Sequence, residues 1–376
     1  MATRVEPYTA SWVPAVKAFN ERLRVGGVFT GFLLSEHPPR SNAGPEPPVR
    51  QEHLLVVSDS EVHGGFILQR QPLWIDGVER PAANYQMPIS EGVVNRAFAQ
   101  VGPLMLKHAL RESPLLFAVG MGNHERPLPR MLKAMGWHVQ KVPFLFHIVR
   151  PGRVLREIAP ARTNRLRKLA GGLGASTGAA WLMVTLLQAR RRTQRGTRPL
   201  ETEPCESWHD WSDDIWRSLR STYAFATPRT CGVLDAFYPP GDKRYLRLRF
   251  RCGADTVGWV VLLDTPMHDD QYFGNLRIGV LLDGVGRPEY LETIARAATE
   301  LLARRGVDLV VTNQAHHAWI RALRQAGFLP GPSNYLLALS VGCMKLLEPL
   351  AENLPRVHLT RGDGDGRIHL ETVPST

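Results

Sequence analysis

The sequence predicts a mixed α/β (α+β) protein built from two copies of one fold, each a twisted mixed sheet flanked by helices. The first observation is an internal repeat. Residues 125–149 align without a gap with residues 316–340, so that Gly136-Trp137 falls on Gly327-Phe328, 191 positions later. The second is that the same order of strand and helix patterns precedes each copy. The third is composition, because 376 residues with 44% hydrophobic and 22% charged side chains suit two or three soluble domains.

Each half shows a hairpin pattern followed by strand, helix, strand, helix and strand. Hairpins are predicted where alternating apolar residues flank an Asp/Ser/Gly turn, and helices where apolar residues recur at helical spacing. The paired segments are hairpins 53–71 and 245–264, strands 83–90 and 275–282, helices 101–113 and 290–306, and buried strands 115–122 and 306–313. The next helix of each half is predicted to end at Gly136 or Gly327, where glycine favours a left-handed cap.

These patterns predict four segments along the chain. They are an N-terminal domain at 1–150, a basic connector at 151–204, a C-terminal domain at 205–345 and a tail at 346–376. In the tail, the DGDG sequence predicts a hairpin turn between HLT and RIHL. A calcium loop starting at Asp363 would need an acidic twelfth residue, and that position is Pro374.

The net charge of +11 is confined to one segment. Between Arg150 and Arg198 there are 12 basic residues and one acidic residue, so the rest of the chain is neutral. A nucleic-acid-binding face spread over a domain is therefore not expected.

The connector contains 21 consecutive uncharged residues, 169–189, between basic clusters. Its length is close to that of a membrane span, but its glycines and equal flanking charges argue against spanning. Two interpretations remain: a helix packed on the domains, or an interfacial helix that brings residues 165–195 to an anionic membrane surface.

The four cysteines form no CxxC pair, which argues against a disulfide framework or structural zinc and suits a reducing compartment. The N-terminus MATRVEPYTASW has no apolar core of a signal peptide. We therefore expect a cytoplasmic protein, at most peripheral to the inner face of the membrane, with no metal site.

The order of elements resembles the GNAT superfamily (Gcn5-related N-acetyltransferases). The resemblance covers most of residues 4–150 and, more loosely, 205–340. It rests on the opening RVEPYTASWVPAVKAFN and on the endings LKAMGW and LRQAGF. The combination of FNERLRVGG, NYQMPISEGVV, VGMGNHERPLPRMLKAMGW and HLTRGDGDGRIHL is also similar to bacterial double-domain GNAT-like proteins, some associated with exopolysaccharide synthesis.

The resemblance implies an acyl-CoA site, with acetyl-CoA expected, at the helix N-terminus in NRAFAQVGPLML. There the amides of Gln100, Val101 and Gly102 would bind the pyrophosphate. Ala99 and Leu104 depart from the family signature. In the second half, LLDGVGRPEY is interpreted either as an anion site or as a tight turn, so the first half is the predicted acyl-CoA site.

The resemblance also implies a general base and, in many members, a tyrosine acid in the last helix. Leu132 and Leu323 stand at that tyrosine position in this chain. The candidate catalytic residues follow strands at the predicted cleft, and the candidate acceptor-binding residues occupy the second half. The first set is Glu91, His124 and Glu125, and the second is His316, His317 and Tyr335.

The sequence thus leads to the expectation of a CoA-dependent N-acyltransferase acting on an amine, such as an amino sugar or polysaccharide precursor. One alternative is a non-catalytic binding or scaffold protein on the duplicated fold, which the missing tyrosine would favour. Another is an aminoacyl-tRNA-dependent transferase, which the neutral domains disfavour.

Overall fold

The computed structural model describes residues 3–28, 33–38, 46–157, 200–270 and 272–364. The helix predicted at 169–189 and the RIHL strand of the predicted tail hairpin lie outside these residues. Within them, no helix combines the length and apolar character that crossing a membrane requires.

The strands are mostly short, apart from three long ones in the N-terminal half and two in the C-terminal half. In chain order they are β1 (Arg4–Pro7), β2 (Arg50–Ser58), β3 (Glu61–Ile75), β4 (Val78–Ser90), β5 (Leu116–Val119), β6 (His138–Lys141), β7 (Phe144–Ile148), β8 (Glu201–Pro204), β9 (Phe225–Ala226), β10 (Leu246–Cys252), β11 (Asp255–Pro266), β12 (Arg277–Gly286), β13 (Leu309–Asn313), β14 (Leu329–Gly331) and β15 (Leu336–Leu339).

The α-helices alternate with these strands. They are α1 (Val13–Val25), α2 (Val101–Glu112), α3 (Pro127–Ala134), α4 (Pro151–Glu157), α5 (Asp210–Leu219), α6 (Cys231–Phe237), α7 (Leu291–Arg304), α8 (His317–Gln325), α9 (Val341–Leu346) and α10 (Leu350–Asn353).

The chain forms two compact units. Unit 1 comprises Met1–Gln140 with Leu336–Leu350, and unit 2 comprises Lys141–Tyr335 with Ala351–Thr376. Unit 1 has the strand order β1-β2-β3-β4-β5-β15-β6, and unit 2 has the order β14-β7-β13-β12-β11-β10-β8. In each, one parallel pair, β4 with β5 or β12 with β13, stands among antiparallel neighbours.

The sheet of unit 1 is covered by helices on both faces. Val56 of β2 belongs to the core formed with α2 and α3, whereas its neighbours Leu55 and Val57 pack with Phe19 and Leu23 of α1. This alternation follows from the two-residue period of a strand. In unit 2 a large core joins β10–β13 to α7 and α8.

Each unit contains the last strand of the other half of the sequence. β7 is the last strand of the first repeat but pairs with β13 and β14 in unit 2, and β15 is the last strand of the second repeat but pairs with β5 in unit 1. The units therefore differ from the sequence-continuous segments 1–150 and 205–345. A gapless repeat reports local similarity, whereas strand pairing depends on which sheet edge is free in three dimensions.

Local turn chemistry agrees with the sequence patterns. Asp59 and Ser60 both have positive φ, 49° and 68°, and join β2 to β3 as a two-residue hairpin turn. Asp76-Gly77 does the same between β3 and β4. Gly136 and Gly327 have φ of 81° and 96° and end α3 and α8, as predicted.

Candidate active site

A bulge interrupts the fourth strand of the sheet in unit 1. Gly65 of β3 pairs with Ile89, but Ile67 pairs with Gln86, so Met87 and Pro88 stand opposite one residue of β3. Met87 has φ of 46°. A proline inside a strand pattern, here Pro88, is the sequence signal that indicates such a bulge.

Beyond this region β4 and β5 separate. Their parallel register covers Ala83 with Leu116 and Asn84 with Phe117. Because the two strands are parallel, the segments that follow them leave the same edge of the sheet. One is the loop 91–100, which leads into α2, and the other is the loop 120–126, which leads into α3. The structure thereby brings the predicted site residues Glu91, Gln100–Gly102, His124 and Glu125 to one edge.

The loop 91–100 is built from two short 3-10 turns, each capped by the residue before it. The Gly92 N–H donates to Ser90 Oγ at 3.0 Å, and the Ala97 N–H donates to Asn95 Oδ1 at 3.1 Å. Gln100 is the N-cap of α2.

The amides of Val101 and Gly102 lie in the first turn of α2, where a helix offers its N–H groups no internal acceptor. A Cβ at Gly102 would meet only Met131 Sδ, at 3.6 Å, so packing does not demand a glycine there. Together with the helix dipole, these amides form an anion-binding end.

Glu91 is buried and fully engaged. Its Oε1 accepts from Arg22 Nε at 2.9 Å, and its Oε2 accepts from Arg22 Nη2 at 3.0 Å and from His63 Nδ1 at 2.8 Å. Burial alone would raise the pKa of Glu91, but the hydrogen bonds from Arg22 and His63 outweigh it and hold that pKa below its ordinary value. Glu91 is therefore an ionised acceptor, and its predicted role as a base stays a prediction.

The other two predicted catalytic residues lie in the loop after β5. Gly120 and Gly122, both with φ of 79°, shape this loop. His124 is half-buried, and Glu125 is exposed with its N–H bonded to Asn123 Oδ1 at 3.1 Å. Leu132, at the position of the family tyrosine, is fully buried in the core of unit 1. A leucine side chain has no proton to donate, so unit 1 has no acid at that position.

The predicted acceptor residues lie in unit 2 in unlike environments. His316 is buried beside Tyr223, with ring centroids 5.0 Å apart. Burial first, and then the neighbouring His358 and His317, lower the pKa of His316 to about 3. His317 is exposed, and its Nδ1 lies 3.0 Å from the Pro355 carbonyl. Tyr335 is buried with the guanidinium of Arg361 5.8 Å from its ring.

The corresponding strand of unit 2 differs from the sequence expectation. Gly284 and Gly286, interpreted as an anion site or a tight turn, lie inside β12. A Cβ at Gly286 would stand 2.9 Å from Ile294 Cδ1 and 3.0 Å from Leu291 Cδ2, so a side chain there would displace the ends of these two side chains of α7. Only residues 287–290 separate β12 from α7, against 91–100 between β4 and α2.

Asp283 of β12 is part of a buried ionic cluster that the sequence did not predict. Arg229 Nε donates to Asp283 Oδ2 at 2.9 Å, and Arg229 Nη2 donates to both oxygens of Asp363 at 2.9 and 2.8 Å. Tyr238 Oη donates to Asp283 Oδ2 at 2.8 Å. Arg229 carries no sequence signal, because a single arginine in an apolar context is usually exposed.

This cluster attaches the segment Val357–Asp363 to unit 2. Thr360 forms a bridge with Gln314 just after β13, and its Oγ1 donates to Asp283 Oδ1 on β12 at 3.2 Å. The segment thus contacts β12 and the residue that directly follows β13. At the start of the predicted DGDG turn, half of which lies outside the described residues, Arg361–Asp363 forms a 3-10 turn in which Thr360 and Asp363 make a capping box.

Similarity to known proteins is found at the level of structure. No protein-family model and no curated sequence matches the chain. The chain is similar to a GCN5-related N-acetyltransferase from Anabaena variabilis ATCC 29413, with a TM-score of 0.53 and 10% identity over 92% of this chain and 75% of that one. It is also similar to a protein from Enterococcus faecalis V583 described as a probable N-acyltransferase, with a TM-score of 0.50 and 11% identity over 93% and 75%.

These similarities define the class of protein by fold. Both sheets, with their flanking helices and the parallel pairs β4–β5 and β12–β13, have the GNAT acyltransferase fold, so the predicted fold class of two such domains is confirmed. A tandem GNAT protein from the clavulanic acid biosynthesis pathway is also similar, at 14% identity and a TM-score of 0.45 over 90% of this chain and 99% of that one.

Proposed function

We propose that the protein is an acyl-CoA-dependent N-acyltransferase, and that acyl-CoA binds in unit 1 where β4 and β5 separate. The observation that carries the proposal is the difference between the two units at the same place in the fold. Unit 1 has a capped loop leading to the N-terminal amides of α2. In unit 2 the connection is short, and the segment Val357–Asp363 contacts β12 and the residue that directly follows β13.

The residues of unit 1 can supply two things that this reaction requires of the protein, a binding site for the pyrophosphate and a base for the amine. The amides of Gln100, Val101 and Gly102 would hold the pyrophosphate, because unsatisfied N–H groups and the helix dipole both favour a dianion. The amine nitrogen attacks the thioester carbon, the C–S bond breaks, and CoA leaves as a thiolate. His124 or Glu125 would take the proton that the amine loses.

Calorimetric titration of the protein with acetyl-CoA and longer acyl-CoAs tests the binding site. Gly102→Glu should weaken binding by about tenfold or more relative to Gly102→Gln, because only the former places a carboxylate beside the phosphates. The glutamine variant is the control for side-chain size. Equal affinity of the two folded variants would show that acyl-CoA does not bind at the N-terminus of α2 in unit 1. If the unaltered protein binds no acyl-CoA, the proposal is wrong.

A second function, binding without transfer, is favoured by the buried Leu132 at the family tyrosine position. Thiol release from acyl-CoA in the presence of candidate amines separates the two. A protein that binds acyl-CoA but releases no CoA with any amino sugar or polysaccharide precursor would be a binding module. The proposed acceptor class rests on the sequence resemblance alone.

We also propose that residues 165–195 contact anionic membranes from the cytoplasmic side. Basic residues near such a surface contribute about 1 kcal/mol each. Liposome co-sedimentation over a salt series, with Arg190, Arg191 and Arg192 changed to Gln in parallel, tests this. Sedimentation that changes neither with salt nor with the substitutions would favour a helix packed on the domains.

A further inference from the structure

We propose that His63 and Glu91 are positioning residues that set the conformation of the loop 91–100 and so determine acyl-CoA affinity. This inference rests on the proposed function of unit 1. It gives Glu91 a role different from that of a base, and it assigns a role to His63, which the sequence did not identify.

Glu91 is the first residue of the loop, and its side chain is hydrogen-bonded to two other elements. Its two oxygens accept from Arg22 of α1 and from His63 of β3. Arg22 also donates from Nη2 to the Val62 carbonyl at 2.6 Å, so its guanidinium has a fixed position. Because the carboxylate is ionised, His63 Nδ1 must be the donor in their hydrogen bond.

His63 also fixes the far end of the loop. Its ring is buried and stacks on Phe98, with centroids 4.2 Å apart and an interplanar angle of 16°. Phe98 lies two residues before Gln100, the N-cap of α2. One imidazole therefore contacts both ends of the loop, through its edge at Glu91 and through its face at Phe98.

The loop is folded back on itself between these two contacts. A Cβ at Gly92 would stand 2.7 Å from the Phe98 carbonyl oxygen and 3.1 Å from Ala99 Cα. Only a glycine permits this approach. The start and end of the loop thus contact each other as well as His63, and the direction in which the chain enters α2 is set by these contacts.

These contacts should affect the affinity for acyl-CoA more than the rate of the acyl-transfer step. Amides that already point at the phosphate lose little conformational freedom when the ligand arrives, which is the benefit of preorganisation. Without the stack, the loop must be ordered on binding. We expect Phe98→Ala and His63→Ala to raise the Kd and KM for acyl-CoA by about tenfold or more while kcat stays within about twofold.

The experiment measures acyl-CoA binding by calorimetry, KM and kcat by thiol release, and hydrogen exchange of the amides 92–102. Phe98→Tyr keeps the stack and should bind as the unaltered protein does, and His63→Phe, which keeps a ring face but loses the hydrogen bond, should be intermediate. His138→Ala is the matched control, since His138 lies on β6 and bonds Gln140 at 3.3 Å. Faster exchange confined to the loop should accompany the weaker binding.

The outcomes separate the two proposals. If the unaltered protein binds acyl-CoA and folded Phe98→Ala and His63→Ala bind it equally well, the positioning role is wrong and the proposed function stands. A fall in kcat at unchanged KM would also overturn it, by placing His63 in the chemical step. If the unaltered protein binds no acyl-CoA, both proposals fail together.

Discussion

Arg229 and Asp283 form a hydrogen-bonded ion pair in the interior of unit 2, with Nε 2.9 Å from Oδ2 and neither side chain exposed. The same guanidinium binds Asp363, so it holds a carboxylate from the central strand β12 and one from the segment near the end of the chain. Burial alone would lower the pKa of Arg229, but Asp283 and Asp363 outweigh this and raise it. The segment is therefore attached through charge that has no access to water.

Arg229→Met should destabilise the protein by about 3–5 kcal/mol, because it leaves two carboxylates buried without their counter-ion. Urea unfolding measures the change. Arg217→Met is the matched control, since Arg217 pairs with Asp214 on the surface, with side-chain exposures of 62% and 65%, and such pairs contribute at most about 1 kcal/mol. Similar small effects in both variants would show that the buried cluster is not ionic in solution.

Gly362→Ala should be strongly destabilising, because a Cβ there would overlap Tyr238 Oη. Tyr238→Phe removes that oxygen, at the cost of the hydrogen bond to Asp283. We expect the alanine to cost at least about 1 kcal/mol less in the phenylalanine background, a coupling typical of residues in contact. Additive effects in a double-mutant cycle would contradict the packing of the segment against Tyr238.

Gly136→Ala and Gly327→Ala should each cost about 1–2 kcal/mol, because both glycines have positive φ at a helix end. Asparagine, which enters the left-handed region more readily, should cost less at both positions. Gly102→Ala is the control: it lies in a helix with room for a methyl group and should not destabilise. Thermal and urea unfolding measure all five variants, and tolerance of alanine at Gly136 and Gly327 would contradict the caps.

Stability should fall as the pH drops below about 6.5, in part because of His316. Its pKa is lowered from the ordinary 6.5 to about 3, so between these pH values the unfolded chain binds a proton at His316 that the folded chain does not bind. The stability that depends on a neutral His316 is fully present above pH 6.5, the pKa of histidine in the unfolded chain. It is lost as the pH falls towards 3, and the loss is at most about 4–5 kcal/mol.

His316→Leu should therefore flatten the decline of the urea midpoint between pH 6.5 and 4. His317→Leu, at the exposed neighbouring position, should leave the decline unchanged. An equal slope in the unaltered protein and both variants would mean that His316 is protonated in the folded state.

The elements that the sequence predicted well are those fixed by their own neighbours. The helix predicted at 101–113 spans Val101–Glu112, and the one predicted at 290–306 spans Leu291–Arg304. Helical spacing of apolar residues and a glycine at the end are properties of a few consecutive residues. The hairpin turn at Asp59-Ser60 was predictable for the same reason.

The candidate site was predictable only in part. The parallel pairing of β4 and β5 brings the loop of Glu91 and the loop of His124 to one edge, as their positions after strands suggested. The pairing of Glu91 with Arg22 and His63 was not predictable, since those partners lie 69 and 28 residues away. A sequence pattern shows that a carboxylate is present, but its partners and its pKa depend on what folding places beside it.

What the sequence by itself determined is the repeat, the order of elements in each half, their approximate ends and the fold class. Only the tertiary structure decided that β7 and β15 are exchanged between the units, that Gly284 and Gly286 belong to a strand, and that Arg229 joins Asp283 to Asp363 across 54 and 134 positions of sequence. The physical reason is the range of the interactions. Backbone propensity and capping act within one or two turns, whereas strand partners and buried counter-ions are chosen by the free edges and unneutralised charges that remain once the chain has collapsed.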